Sequence, residues 1–134
     1  AQCEYIRPGV TASSVDKVGR DIIEAAGYGD AFIHRTGHGI GMETHEDPYI
    51  VAGNDLVLEA GMAFSIEPGI YLEGHHGARI EDIVVCTADG SERLNTRPRE
   101  AGLLDGGTSA PHGKFLDAIR RPGGGAPRRS RRRK

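Results

Sequence analysis

Three short segments gather side chains able to bind a cation or move a proton. They are His38-Gly39-Ile40-Gly41 with His45 seven residues after His38, Glu67-Pro68-Gly69, and Arg79-Ile80-Glu81-Asp82. Taken singly, each fits an ordinary structural role: a histidine beside glycine completes local hydrogen bonds, and a glutamate in a Val/Ile-rich segment faces water. The combination is more demanding. A carboxylate within an apolar strand such as Ala63-Phe64-Ser65-Ile66-Glu67 is costly to bury unless positive charge compensates it. If the segments carrying Glu67 and Glu81 pair as strands, the two carboxylates share a face and retain a proton unless a cation lies between them. A neutral imidazole from His38 completes a mixed nitrogen and oxygen donor set, suited to Mn, Co, Zn or Fe and less to Ca. The neighbouring glycines let backbone approach such a site closely.

The elements that must position these residues are legible in outline. Between Thr11 and Ala26, Val15, Val18, Ile22, Ile23 and Ala26 recur at helical spacing, with Asp16, Lys17, Arg20, Asp21 and Glu24 largely on the other side, which predicts an amphipathic helix. Thr11 is its N-cap, and Gly27 or Gly29 supplies the left-handed residue that ends it. From Phe32 to Tyr49 the periodicity is lost in a run rich in Gly, His and Glu, which predicts an irregular, functional segment. Ala63 to Tyr71 and Ala78 to Thr87 read as two strands joined as an antiparallel hairpin through Leu72-Glu73-Gly74-His75-His76-Gly77. Leu56 to Glu59 reads as a further short strand, and Ala88-Asp89-Gly90-Ser91 as a turn. The expected class is α+β, a helix packed on a curved antiparallel sheet.

Charge divides the chain. Residues 1–98 hold 7 Lys/Arg against 16 Asp/Glu, a net charge of -9, whereas residues 99–134 hold 10 against 3, a net of +7. The first part is expected to be one domain. The second, rich in Gly-Gly and ending Arg128-Arg129-Ser130-Arg131-Arg132-Arg133-Lys134, cannot bury enough apolar surface to order itself and is expected to be a disordered tail. Only Phe115, Leu116, Ala118 and Ile119 suggest a short helix within it. An arginine run can contact phosphates, but here no aromatic is interleaved to stack bases and the rest of the chain is acidic, so nucleic acid is not the expected partner. Two cysteines, Cys3 and Cys86, lie far apart without CxxC spacing, which suits a reducing cytoplasm. No run approaches the roughly 20 apolar residues that span a bilayer, and no signal peptide opens the chain. The chain starts at Ala1 without an initiator Met, from which a natural N-terminus further upstream is expected.

The blocks Phe32-Ile33-His34-Arg35-Thr36-Gly37-His38-Gly39-Ile40-Gly41-Met42-Glu43-Thr44-His45-Glu46, Gly61-Met62-Ala63-Phe64-Ser65-Ile66-Glu67-Pro68-Gly69-Ile70-Tyr71 and Gly77-Ala78-Arg79-Ile80-Glu81-Asp82 resemble those of the pita-bread (M24-type) metallopeptidases, in the Xaa-Pro aminopeptidase and prolidase branch. The intervals agree too: His38 to Glu67 is 29 residues and Glu67 to Glu81 is 14. The resemblance spans about Arg7 to Arg99 and implies the C-terminal part of a pita-bread catalytic domain. It implies two divalent metal ions (Mn, Co or Zn), with His38 and Glu67 binding one and Glu81 bridging both. Glu67 would also handle the proton of the attacking water, His45 would steady the developing oxyanion, His34 would line the pocket, and Arg79 would hold the carboxylates in place. The implied reaction is hydrolysis of peptide bonds next to proline in short peptides, by an enzyme that is a homodimer when complete.

Two features depart from the family. Its site uses five protein ligands, and the two aspartates eleven residues apart that supply the others are not found here; Asp16, Asp21 and Asp30 have the wrong spacing and context. The isolated chain is therefore expected to bind metal weakly and to be inactive. The glycine- and arginine-rich end also stands where the family closes with a short apolar strand. A reading from another class is a non-catalytic pita-bread module that binds peptides or proteins.

Overall fold

The computed structural model describes residues 1–99. A compact unit, Ala1–Arg97, holds almost all of them, and a second unit begins at Pro98. The expected tail, from residue 100 onward, and the helix suggested at 115–119 lie outside the described residues.

The first elements are helical. A single turn, α1 (Gln2–Tyr5), precedes α2 (Ala12–Ala25). Thr11 caps α2 as expected, its hydroxyl accepting from the Ser14 amide at 3.1 Å. Gly27, with φ +84°, ends it, and its amide donates to the Glu24 carbonyl. One expectation about this helix is corrected. Asp16 belongs to the buried face with Ala12, Val15 and Gly19, whereas Ile22 is 54% exposed. A buried carboxylate is tolerable there because Arg20 and Thr36 satisfy it, as described below.

A five-stranded antiparallel sheet follows, in the order β2-β1-β3-β6-β7. Its strands are β1 (Gly37–Gly39), β2 (Glu46–Ile50), β3 (Ala63–Ile66), β6 (Asp82–Cys86) and β7 (Ser91–Arg93). β4 (Gly69–Leu72) and β5 (His76–Arg79) form a separate two-stranded arm. The segment 32–49 is thus less irregular than its composition suggested, since it contains β1 and most of β2. Leu56–Glu59 makes only an isolated bridge, Val57 to Thr11.

Both strands of the expected hairpin exist, and both are broken at the same level. Ile66 pairs with Asp82 below the break and Gly69 with Arg79 above it, in one continuous register. Extending that register through the gap sets Glu67 opposite Glu81. Pro68 lacks the N–H that a ladder requires, and its carbonyl still accepts from Ile80 N at 3.4 Å. The interruption therefore falls where the two carboxylates emerge.

One face of the sheet meets the helices. Phe64, Ile66, Val84 and Cys86 pack with Ile6, Val10, Ala12, Val15, Ile50 and Leu58 into a single core. Burial pushes the Cys86 thiol above its ordinary pKa. Side chains one residue out of step project from the opposite face.

Candidate active site

That opposite face carries the candidate chemistry. Ser65 alternates with Phe64 and Ile66, and Glu67 continues its side of the strand. His38 comes alongside from β1, where Gly39 pairs with Phe64. Its two glycine neighbours are required by close packing: a Cβ on Gly37 would overlap the Ser65 carbonyl oxygen, and one on Gly39 the Asp47 carbonyl oxygen. Strands β2, β1 and β3 can approach closely only because these positions lack side chains.

Ser65 ties the residues together. Its hydroxyl accepts from the His38 amide at 3.0 Å and donates to Glu67 Oε1 at 2.9 Å. His38 Nδ1 lies 3.0 Å from the Gly39 carbonyl oxygen, an atom that only accepts, so Nδ1 carries the proton. In the neutral ring, Nε2 then presents a lone pair to Glu67 Oε1 at 3.2 Å. Two acceptors facing each other in a buried place, with His38 8% and Glu67 6% exposed, leave room for a shared proton or a cation. An imidazole whose far nitrogen is tied to a carbonyl is the usual form of a metal-binding histidine, so the pair fits one edge of a divalent metal site.

Arg79 links the second carboxylate. Its Nη1 is 3.2 Å from Glu67 Oε2 and its Nη2 is 3.7 Å from Glu81 Oε2. His38, Glu67, Arg79 and Glu81 thus form a chain of contacts. Among the described residues no three His, Cys, Asp or Glu side chains are grouped so as to hold a metal ion: Glu81 reaches the His38–Glu67 pair only through the guanidinium. His45 stacks edge-on against His38, ring centres 4.3 Å apart. His34 Nδ1 donates to the Arg35 carbonyl at 2.7 Å, which leaves Nε2 to accept from the Tyr71 hydroxyl at 3.1 Å.

A cleft of about 710 Å³ opens beside these groups, lined by His34, Arg35, His45, Tyr49, Val51, Glu67 and Arg79. Sequence reading singled out four of these seven. Arg35, Tyr49 and Val51 were missed because they come from the turn before β1, from β2 and from the residue just after β2, whose proximity is tertiary. Ser65 was missed too, although strand alternation with Glu67 places both on one face.

The loop that bears the histidines is anchored from behind. Asp16 accepts from Arg20 Nε at 2.6 Å and from the Thr36 hydroxyl at 2.8 Å. Arg20 also donates to the carbonyls of Phe32 at 3.2 Å and His34 at 2.6 Å. Gln2 adds bonds to the Val15 carbonyl and Thr36 Oγ1. Thr36 in turn accepts at its carbonyl from the Glu67 amide at 2.7 Å. The helix therefore reaches the site through two consecutive polar contacts, Asp16 to Thr36 and Thr36 to Glu67.

Comparison with known proteins defines the class. The dipeptidase PepE of Mycobacterium ulcerans has a solved structure that superposes with a TM-score of 0.72 at 61% identity, over 73% of this chain and 26% of that one. The prolidase of Pyrococcus furiosus superposes with a TM-score of 0.72 at 47% identity, over 73% and 29%. The helix and antiparallel sheet are accordingly part of a pita-bread fold. The model of Metallopeptidase family M24 matches residues 1–88, and this chain belongs to that family. Among curated relatives, a probable dipeptidase PepE of Mycobacterium tuberculosis is 63% identical over 100 residues, and a Xaa-Pro dipeptidase of Lactobacillus helveticus is 63% identical over 104. The chain spans 27% and 28% of their respective lengths.

Proposed function

We propose that this chain forms part of the active site of a peptidase that cleaves next to proline in short peptides, an Xaa-Pro dipeptidase or aminopeptidase. The observation that carries the reading is the buried His38–Glu67 pair, with Nε2 and Oε1 3.2 Å apart and Nδ1 tied back to the Gly39 carbonyl. His38 and Glu67 would hold one divalent ion and Glu81 would bridge to a second, Mn, Co or Zn being suited to the donors. The two aspartates that the family adds would come from outside the chain described. Bound cations would supply Lewis acidity toward the scissile carbonyl and a lowered pKa for the attacking water.

The remaining roles fall to side chains around the cleft. Glu67, oriented by Ser65 and Arg79, is placed to take a proton from water and pass it on. His45 and His34 line the same cleft, where His45 can donate to a developing oxyanion and His34, its ring nitrogens engaged by the Arg35 carbonyl and the Tyr71 hydroxyl, shapes the pocket wall. The Tyr49 ring and Val51 offer apolar surface suited to a prolyl ring. Without the upstream ligands the 134-residue chain alone would be inactive. A homodimeric, cytoplasmic complete enzyme fits this reading; among the described residues no helix is long and apolar enough to cross a membrane. The test is hydrolysis of Xaa-Pro peptides by the complete protein supplied with Mn or Co. Turnover that is absent, or indifferent to chelation, would defeat the proposal.

One observation favours a second reading. Arg79 contacts both Glu67 and Glu81 and so offsets part of the carboxylate charge without any ion, as a non-catalytic peptide-binding module would require. Glu67→Gln distinguishes the two, because it leaves the biological effect of a binding module unchanged and abolishes that of a peptidase.

A further inference from the structure

Helix α2 meets the histidine-bearing segment through one ion pair. Asp16 and Arg20 take up alternate residues of the stretch that leads into β1. Arg20 donates to the carbonyls of Phe32 at 3.2 Å and His34 at 2.6 Å, and Asp16 accepts from the Thr36 hydroxyl at 2.8 Å. His38 is the next residue of that parity. Phe32 and His34 belong to no strand, so Arg20 supplies the donors that a neighbouring strand would otherwise give their carbonyls. Each nitrogen of the guanidinium has its own acceptor, since Nε donates to Asp16 at 2.6 Å. The Phe32 ring covers one face, its centre 4.2 Å from the guanidinium carbon, which leaves the planar fork one position. An ammonium on a flexible stem does not reproduce donors held at these fixed angles.

We propose that Arg20, with Asp16 as its counter-ion, is a positioning residue for peptide hydrolysis: it fixes where residues 32–36 stand and, through them, the places of His34 and Glu67 in the active-site cleft. The inference deepens the peptidase reading and rests on it. Two links carry the placement. The His34 carbonyl is held by Arg20 while the His34 ring lines the cleft, so displacing the first moves the second. The Thr36 hydroxyl is held by Asp16 while the Thr36 carbonyl accepts from the Glu67 amide at 2.7 Å, so slack at the ion pair passes to the backbone that carries Glu67. A misplacement of about 1 Å at a reacting group costs about 100-fold in rate. Arg20 also lines a second, open cleft of about 420 Å³, shared with Phe32 and Asp30. A small cation can enter there and reach the place that the guanidinium occupies.

The test uses the complete protein carrying Arg20→Ala or Arg20→Lys, with folding checked by circular dichroism. Amide exchange without added metal is read first: both variants should exchange faster at residues 34–38 and at the Glu67 amide, with β6 and β7 unchanged. Hydrolysis of Ala-Pro with Mn should fall by about 100-fold in Arg20→Ala and by less in Arg20→Lys. Ethylguanidine, admitted by the second cleft, should restore turnover of Arg20→Ala saturably and ethylamine should not, whereas a general loosening of the fold would respond to neither. Arg20→Lys, which keeps the charge but loses the fork, decides the matter if Arg20→Ala does not fold. Exchange and turnover at the parent's level in the folded variants overturn the proposal, as does a loss of turnover that ethylguanidine leaves unrelieved. A parent protein without turnover would sink the peptidase reading, and local exchange would then decide by itself whether Arg20 positions the segment.

Discussion

Removing Arg20 should destabilise the protein more than neutralising its partner Asp16, although Arg20 is the more exposed of the two. The Asp16 side chain is 1% exposed and that of Arg20 30%. Arg20→Met leaves a carboxylate buried with the Thr36 hydroxyl as its remaining partner, a situation that costs about 3–5 kcal/mol. It also frees the carbonyls of Phe32 and His34. Asp16→Asn keeps an acceptor for Thr36 and leaves Arg20 with access to water, so a cost of about 1–2 kcal/mol is expected. The double substitution should be less damaging than the sum of the singles, with coupling of about 1–3 kcal/mol. Urea unfolding followed by far-UV circular dichroism measures all three, which suits a chain without Trp. Hydrogen exchange adds a local readout: the Glu67 amide, bonded to the Thr36 carbonyl at 2.7 Å, should lose protection in Arg20→Met. If Arg20→Met lies within about 1 kcal/mol of the parent, or Asp16→Asn is the costlier change, the buried-charge reasoning fails.

Other expectations follow from single contacts. Glu67→Gln in the complete protein should lower turnover of Xaa-Pro peptides by about 100-fold or more, the ordinary worth of a general base, and steady-state kinetics at saturating Mn would expose a smaller effect. Gly39→Ala should displace β1 from β2, because its Cβ would meet the Asp47 carbonyl; loss of amide-exchange protection along β1 and β2 is the check. Thr11→Ala removes the cap of α2 and should cost about 1 kcal/mol in urea unfolding. The buried Cys86 thiol, raised above its ordinary 9.0, stays protonated in the folded state at pH values where the unfolded chain has already ionised. Its contribution is therefore intact below pH 9.0 and is lost as pH rises from there to the folded-state value. Cys86→Val should flatten that alkaline decline in a pH series of unfolding midpoints.

What the sequence by itself determined were features governed by neighbours along the chain. Helix α2, its Thr11 cap and a glycine terminus at Gly27 or Gly29 depend on local periodicity and on one residue at each end, and could be read before the fold was known; the structure chose Gly27. The hairpin could be read for the same reason, as could the glycine-flanked His38 and the paired positions of Glu67 and Glu81. Only the tertiary structure decided that Asp16 turns inward, since its cost is offset by Arg20 and by Thr36 from a segment 20 residues away. The tertiary structure likewise split both hairpin strands at Pro68, joined Glu67 to Glu81 through Arg79, and brought Arg35 beside Tyr49. A side chain's pattern shows which way it can point, but the charge or ring that it meets there depends on packing between distant segments.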